Sequence, residues 1–275
     1  MLGIGRTDEE VVRDLELRGE RLEALGIAVG ELLGLDAKRV AVVEPQPSDE
    51  INALATKGIR LNPSPKQIGA VATLVIALKP QTFREAGSTL RSFSGPSTLV
   101  VSIMAGTPIA SIEAACGGSV VRAMPNTPAA IGRGITVAVA AKNVSAAQRA
   151  VADALLRATG SVEWVDDESL MDAVTAVSGS GPAYIFLLAE ELARAGVEAG
   201  LPQELATKLA RETVAGSGEL LHRSDAPSAT LRQNVTSPGG TTAAALEVLM
   251  APDGMQSLLT RAVAAATRRS RELAK

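Results

Sequence analysis

A glycine-rich segment at residues 237–242 has the residue types of an anion site at the start of a helix. It reads SPGGTT and runs directly into AAALEVLM, which is a good helix-forming stretch. The first N–H groups of a helix have no partner within it and carry partial positive charge, so they attract small anions. Glycine also lets a ligand approach the backbone. The alternative is that Thr241 or Thr242 is an ordinary N-cap, but the pattern favours a carboxylate site.

A second elbow, AVSGSGPAY at residues 176–184, interrupts one helix pattern and begins another. Gly179 and Gly181 free the backbone, and Pro182 suits the first position of a helix. A plain connection between two helices is the alternative explanation. Two such helix starts could converge on one anion. Because neither segment contains a strong acid or base, the chemistry would depend on a cofactor and on positioning.

Polar or small residues follow four short apolar runs, at residues 39–44, 71–78, 98–103 and 119–124. Unbroken β-branched runs of this length predict parallel strands buried on both faces. Doubly wound sheets bind ligands at the carboxyl ends of their strands. At those ends Glu44 could bind ribose hydroxyls, Lys79 provides a cation, and Asn126 lies between two prolines. Each could be a structural loop by itself, but four in succession favour a ligand site.

The order of elements predicts two domains. Further strands are expected at residues 134–140 and 161–164, with helices at 49–57, 82–93, 108–116 and 145–159. Beyond about residue 165 every segment has helical spacing: 168–178, 182–200, 202–221, 227–235, 242–250 and 254–274. The predicted fold is α/β, a Rossmann-like doubly wound parallel sheet over residues 1–164, followed by an all-α dimerisation domain over residues 165–275. Residues 7–33 resemble one amphipathic helix, which makes residues 1–34 atypical of such a sheet domain.

Composition excludes several functional classes. The chain has 275 residues, a net charge of −3, 2% aromatic residues and no basic stripe, which argues against nucleic-acid binding. Its single cysteine, Cys116, excludes an internal disulfide, and its single histidine, His222, makes a histidine-based metal site or catalytic triad improbable. No apolar run reaches the length of a membrane span. The sequence therefore predicts a soluble, cytoplasmic protein without a metal and without a membrane partner.

From about residue 35 to its end the chain resembles the pyrroline-5-carboxylate reductases, which make L-proline. The resemblance is carried by the segments ALKPQ (77–81), LVVSIMAG (99–106), VRAMPNTPA (121–129), AVTAVSGSGPAYIF (173–186) and TSPGGTT (236–242). The last two together are close to diagnostic of that family. The resemblance implies hydride transfer from a reduced nicotinamide cofactor to a cyclic imino acid. It also implies homodimers formed through the helical domains, and possibly larger rings.

The resemblance assigns roles to individual residues. The residues expected to line the cofactor are Asn62, Ala77, Lys79, Pro80, Ala105 and Asn126, in addition to Glu44. The residues expected to bind the substrate carboxylate and ring are Ser178, Ser237, Gly239, Gly240, Thr241 and Thr242. Thr242 is the expected catalytic group, since its hydroxyl would hydrogen-bond the ring nitrogen. A protonated imine is already electrophilic, so no strong catalytic acid is needed.

The sequence also leaves alternatives open for the function, the cofactor and the enzyme class. The family begins with a strand and a G-x-G-N-M turn that binds the cofactor pyrophosphate, and residues 1–34 contain no such turn. A catalytically impaired paralogue, or a frame-shifted product that keeps the dimerisation half, is therefore the alternative function, and weak cofactor binding is expected. Glu44 favours the unphosphorylated cofactor NAD, whereas the family resemblance favours NADP. A related β-hydroxyacid dehydrogenase would need a lysine in helix 182–200, which has none.

Overall fold

The computed structural model describes residues 2–4, 10–13 and 36–273. The chain divides into two compact units, of which the first comprises Met1–Gly179 with Ala266–Lys275 and the second Ser180–Ala265. The first unit contains the sheet, and the second contains helices. The boundary between a sheet domain and an all-α domain at residues 164/165 stays a prediction.

The first unit contains a nine-stranded sheet among the described residues. Its strands are β1 Leu2–Ile4, β2 Glu10–Arg13, β3 Val40–Val43, β4 Arg60–Leu61, β5 Thr73–Ile76, β6 Leu99–Ser102, β7 Ser119–Met124, β8 Gly134–Ala140 and β9 Gly160–Trp164. The strand order is β4-β3-β2-β1-β5-β6-β7-β8-β9. Strands β5, β6 and β7 are mutually parallel, as are β2, β3 and β4. The predicted parallel α/β architecture is confirmed.

Strands β1, β8 and β9 run antiparallel to β5, β6 and β7, since β9 pairs in parallel with β8. Strand β8 pairs antiparallel with β7, and β1 pairs antiparallel with β5. The antiparallel turn is possible because only a short 3-10 helix, Thr127–Ile131, connects β7 to β8. A parallel crossover would need a dozen or more residues. The sheet is therefore mixed, with β8 and β9 at one edge and β1 in its interior, whereas the sequence pattern predicted only parallel strands.

The predicted helix over residues 7–33 is wrong at residues 10–13. These residues form β2, which pairs in parallel with both β3 and β5. Strand β2 lies inside the sheet, next to β3. The sequence VVR within β2 favours a strand through its β-branched residues. The rest of the predicted helix, residues 7–9 and 14–33, lies outside the described residues.

Helices of the first unit cover both faces of the sheet. They are α1 Asp49–Thr56, α2 Pro65–Ile68, α3 Pro80–Arg91, α4 Ile109–Cys116, α5 Ala146–Arg157 and α6 Met171–Val174. One face forms a core around Leu74, Ile76, Phe93 and Ile112, and the other around Val75, Val101, Val121 and Leu155. Alternate residues of a strand point to opposite faces, which explains how these runs are buried on both sides. The strands are thereby held rigidly enough to fix the loops at their carboxyl ends.

The remaining helices are α7 Gly181–Glu198, α8 Gln203–Arg223, α9 Ser228–Asn234, α10 Thr241–Leu249 and α11 Met255–Leu273, the last of which continues into the first unit. Large apolar side chains are exposed on α7 and α8, among them Phe186 at 63% and Leu220 at 66%. None of the helices in the described part of the chain has the length and apolar character of a membrane span.

Candidate active site

Three strand ends form one cavity of about 270 Å³ in the first unit. Its walls are the residues that follow β5, β6 and β7, together with two alanines of the Thr127–Ile131 helix and Thr159. The lining residues are Ala77, Leu78, Lys79, Pro80, Ile103, Met104, Ala105, Met124, Pro125, Asn126, Ala129, Ala130 and Thr159. The predicted cofactor residues Ala77, Lys79, Pro80, Ala105 and Asn126 are thus brought together. The sequence was sufficient to predict this grouping because the carboxyl ends of parallel strands lie at the same edge of a sheet.

The first wall turns sharply where β5 ends and α3 begins. Lys79 is the N-cap of α3 with extended dihedrals, and Pro80 is the first helical residue. Proline fixes φ near its helical value and has no N–H to leave unpaired at this position. The short turn therefore keeps both residues on the cavity side of the strand end.

The second wall follows β6 and is shaped by a buried hydroxyl. Ser102 is fully buried, and its Oγ accepts a hydrogen bond from the Met104 N–H at 3.3 Å. Gly106 then has a φ of 69°, which glycine adopts without strain. Between them Ala105 presents only a methyl group, so a flat ring could lie close to the backbone there.

The third wall follows β7 and contains Asn126. The Asn126 Oδ1 accepts a hydrogen bond from the Ile135 N–H at 3.0 Å, which ties this loop to the start of β8. Among the described residues the other half of the amide, Nδ2, has no hydrogen-bond partner. The side chain is thus oriented by one amide group and retains two donors for a ligand.

Glu44 and Asn62 lie outside the lining of this cavity, at the carboxyl end of β3, and bind each other. Asn62 Nδ2 donates to the Glu44 carbonyl, and the Glu44 N–H donates to Asn62 Oδ1, both at 2.8 Å. Asn62 adopts a positive φ of 52°, which asparagine tolerates better than most residues. Glu44 is 5% exposed as a residue, and its carboxylate accepts the Gln46 N–H at 2.8 Å. The pair therefore shapes the chain reversal after β3.

An ion pair that the sequence pattern did not reveal braces two of the cavity walls. Glu168 Oε1 accepts a hydrogen bond from Arg122 Nη1 and another from the Ile109 N–H, each at 2.8 Å. Arg122 lies on β7 and is buried, and Ile109 is the first residue of α4. The signal in the sequence was a single arginine within the otherwise apolar strand SVVRAM.

A short π-helix, Thr175–Gly179, carries the predicted residue Ser178. The Ser178 hydroxyl donates to the Val174 carbonyl at 3.0 Å, in the manner of helical serines. A Cβ atom at Gly179 would overlap the terminal methyl of Met124, which lines the cavity. The elbow and the third cavity wall are therefore in direct contact within the first unit.

The segment 237–242 lies in the second unit and begins α10. Gly240 is the N-cap residue, and within the described part of the chain no side chain caps this helix. The competing explanation, a threonine N-cap, is therefore wrong. Gly239 has a φ of 69° with open space around its Cα, and the Gly240 N–H donates to the Ser237 carbonyl at 3.0 Å. Thr241 is exposed and Thr242 is half-buried.

Comparisons with known proteins identify the family. The family described as pyrroline-5-carboxylate reductase dimerisation matches residues 168–273. The pyrroline-5-carboxylate reductase of Pseudomonas aeruginosa is 45% identical over 203 residues, which are 73% of this chain and 74% of the relative.

Two solved structures have the same fold. A pyrroline-5-carboxylate reductase from Coxiella burnetii gives a TM-score of 0.85 at 32% identity, covering 96% of this chain and 98% of its own. The Plasmodium falciparum pyrroline carboxylate reductase with NADP bound gives 0.77 at 28% identity, covering 99% and 100%. The predicted Rossmann-type fold is confirmed, and the predicted nicotinamide-dependent oxidoreductase is confirmed at the level of the family. This chain belongs to the pyrroline-5-carboxylate reductase family.

Proposed function

We propose that this protein reduces 1-pyrroline-5-carboxylate to L-proline with a reduced nicotinamide cofactor. The observation that carries the proposal is the cavity formed by the ends of β5, β6 and β7, which contains five of the residues predicted to line the cofactor. Membership of the reductase family supports the same activity. The impaired-paralogue alternative has no comparable support.

The cavity fits the nicotinamide end of such a cofactor. Its walls combine apolar groups from Ile103, Met104 and Met124 with the polar Asn126, as expected for a flat ring that carries one carboxamide. Asn126 would donate to that carboxamide, and the methyl group of Ala105 would allow the ring to approach. When bound, the reduced cofactor supplies a hydride to the substrate.

Glu44 offers little support for a preference for NAD. Its carboxylate is buried and already accepts the Gln46 N–H, so it serves the turn after β3. This carboxylate is therefore poorly placed to bind the hydroxyls of an unphosphorylated ribose. Because the Plasmodium falciparum relative was solved with NADP, we assign NADP as the preferred cofactor of this protein. Asn62 would act here by holding the Glu44 turn.

The substrate would bind at the start of α10. With Gly240 as the N-cap and no capping side chain, the first N–H groups of the helix are suited to a carboxylate. Ser237, Gly239 and Thr241 would complete the loop around this group. Ser178, in the π-helix of the first unit, stays a predicted substrate residue. We also propose that residues 1–164 bind the cofactor and residues 165–275 bind the substrate.

Thr242 would act at the ring nitrogen. The imine of the substrate is protonated before reduction, so the carbon of its C=N bond is electrophilic without further acid catalysis. As the carbon accepts the hydride, the electron pair of the C=N bond moves to nitrogen and the positive charge is lost. A hydrogen bond between the Thr242 hydroxyl and this nitrogen would orient the ring for transfer. No group with a large proton affinity is required.

The exposed apolar faces of α7 and α8 support a homodimer. Phe186, Leu188 and Leu209 are 41–63% exposed, and a groove of about 450 Å³ lies along the same helices. Contiguous exposed apolar surface of this kind is typical of protein interfaces. This region also matches the family's dimerisation domain. We assign these faces to contact with a second copy, and a ring of dimers would need further surfaces.

The decisive experiment follows the loss of NADPH absorbance with purified protein and 1-pyrroline-5-carboxylate. Thr242→Val removes the hydroxyl and should lower kcat/KM by about 100-fold, the scale for losing one positioned hydrogen bond. Thr230→Val, an exposed threonine on α9, is the matched control and should retain full activity. NADH in place of NADPH tests the cofactor assignment. A dimeric protein without turnover of either cofactor would instead support the impaired-paralogue alternative.

A further inference from the structure

One carboxylate oxygen joins two distant parts of the first unit. Glu168 Oε1 accepts the Ile109 N–H and Arg122 Nη1, both at 2.8 Å, although these partners are 59 and 46 residues away in sequence. Glu168 begins the short 3-10 helix Glu168–Leu170, which follows the last strand, Gly160–Trp164, after a short loop. All three residues belong to the same compact unit.

Each partner of Glu168 adjoins a different wall of the cavity. Ile109 follows the loop that contains Met104 and Ala105, after β6. Arg122 lies on β7, two residues before Met124 and four before Asn126. Strands β6 and β7 are paired, with Ser102 opposite Arg122. Glu168 therefore links the segment after β6 to β7 at the edge of the sheet where the cavity lies.

The charges explain why this arrangement is specific. Arg122 is 5% exposed and shares its face of β7 with Val120 and Met124, so its guanidinium requires a carboxylate partner. A negative charge is also favourable at the N-terminus of α4, where Glu168 accepts the first N–H. A neutral or shorter side chain at residue 168 would satisfy one of these demands at most.

We propose that Glu168 is a positioning residue for cofactor binding, holding the Ala105 and Asn126 walls at the separation that the nicotinamide ring requires. The inference rests on the proposed function, because it assumes that this cavity takes the nicotinamide. Glu168 acts through Arg122 and the start of α4 and needs no contact with the substrate. Its loss should therefore weaken cofactor binding and leave the affinity for the imino acid unchanged.

The test measures the dissociation constant of NADPH by isothermal titration calorimetry without substrate, together with KM for both ligands. Glu168→Ala should raise the Kd and KM for NADPH by at least about ten-fold, since displacements near 1 Å carry penalties of this size. KM for pyrroline-5-carboxylate should change by less than about two-fold. Asp166→Ala is the matched control, because it removes an exposed carboxylate two residues earlier and should leave both constants unchanged. Glu168→Gln keeps an acceptor for Ile109 and should give an intermediate loss.

A double variant separates positioning from general stability. Arg122→Met with Glu168→Gln leaves no lone buried charge, so its melting temperature should recover relative to Glu168→Ala, while NADPH binding should stay weak. NADPH binding within two-fold of wild type in Glu168→Ala would overturn the inference. An equal loss in Asp166→Ala, or binding restored with stability in the double variant, would do the same. Wild-type protein that neither binds NADPH nor turns over would overturn the proposed function itself.

Discussion

Gly179→Ala tests whether the π-helix Thr175–Gly179 and the proposed cofactor cavity are coupled through Met124. A Cβ atom at Gly179 would lie well inside 3.0 Å of the Met124 terminal methyl, a separation that side chains essentially never reach. To regain ordinary carbon–carbon contact at about 3.5–4.0 Å the methyl must move by roughly 1 Å or more. Met124 lines the cavity, so this movement changes the space available to the nicotinamide ring.

The expected effect on stability is small. Replacing glycine within a helical turn gains about 0.5–1 kcal/mol, and forcing Met124 from its preferred rotamer costs about 0.5–1.5 kcal/mol. These terms nearly cancel, so the melting temperature should shift by less than about 4 °C. Cofactor binding should change more, with a Kd for NADPH raised about ten-fold, which corresponds to about 1.4 kcal/mol.

Two variants make the prediction for Gly179 specific. Gly181→Ala adds the same methyl two residues later, where the described structure has nothing within 4 Å, and should leave NADPH binding unchanged. Met124→Val shortens the side chain, so adding Gly179→Ala to it should cost nothing further. The assay is NADPH titration by calorimetry, with melting temperature alongside. Equal losses from Gly179→Ala in both backgrounds, or no loss in either, would refute the coupling.

Three further predictions concern stability and reactivity. Gly160→Ala should destabilise the first unit by about 2–6 kcal/mol, because the φ of Gly160 is 141° and a Cβ atom there would meet the carbonyl of Gly134. Gly132→Ala is the comparison, and should cost about 1–2 kcal/mol, because Gly132 has a φ of 67° but open space around it. Thermal melts of the two variants measure the difference. Burial raises the pKa of the Cys116 thiol to about 12, partly offset by Arg91, so Ellman's reagent at pH 8 should label the protein only after unfolding. Burial opposes the ionisation of Asp153, but hydrogen bonds from Arg157 and Trp164 lower the pKa of its carboxyl below 3.8. The ionised carboxylate therefore stabilises the fold above that pH, and this stabilisation is lost as the pH falls through the lowered pKa. The difference in melting temperature between wild type and Asp153→Asn should accordingly vanish in strong acid.

Local patterns were sufficient to predict the strand ends and the helix starts. Short β-branched runs, prolines at first helical positions and glycines at turns act within a few residues. The sequence alone therefore predicted β3, β5, β6 and β7, and the helices that follow β3, β5 and β6. The same reasoning placed Lys79, Ala105 and Asn126 at one edge of the sheet, where the structure brings them to one cavity. Parallel strands make this possible because their carboxyl ends coincide.

Contacts between distant residues were decided by the tertiary structure. The pattern of residues 7–33 suggested a helix, but pairing with β3 and β5 makes residues 10–13 a strand, because a vacant position in a sheet outweighs local periodicity. Asn62 stays a predicted cofactor residue, and only the structure shows that its side chain holds the backbone of Glu44.

The partnership of Glu168 with Arg122 and Ile109 spans three elements, and the arginine within strand β7 is a local signal that does not identify its partner. Sequence by itself determined which groups are present at the ends of the elements, since side-chain type and local dihedral preference are properties of adjacent residues. Only the fold determined which of those groups meet, because strand order and burial depend on the whole chain.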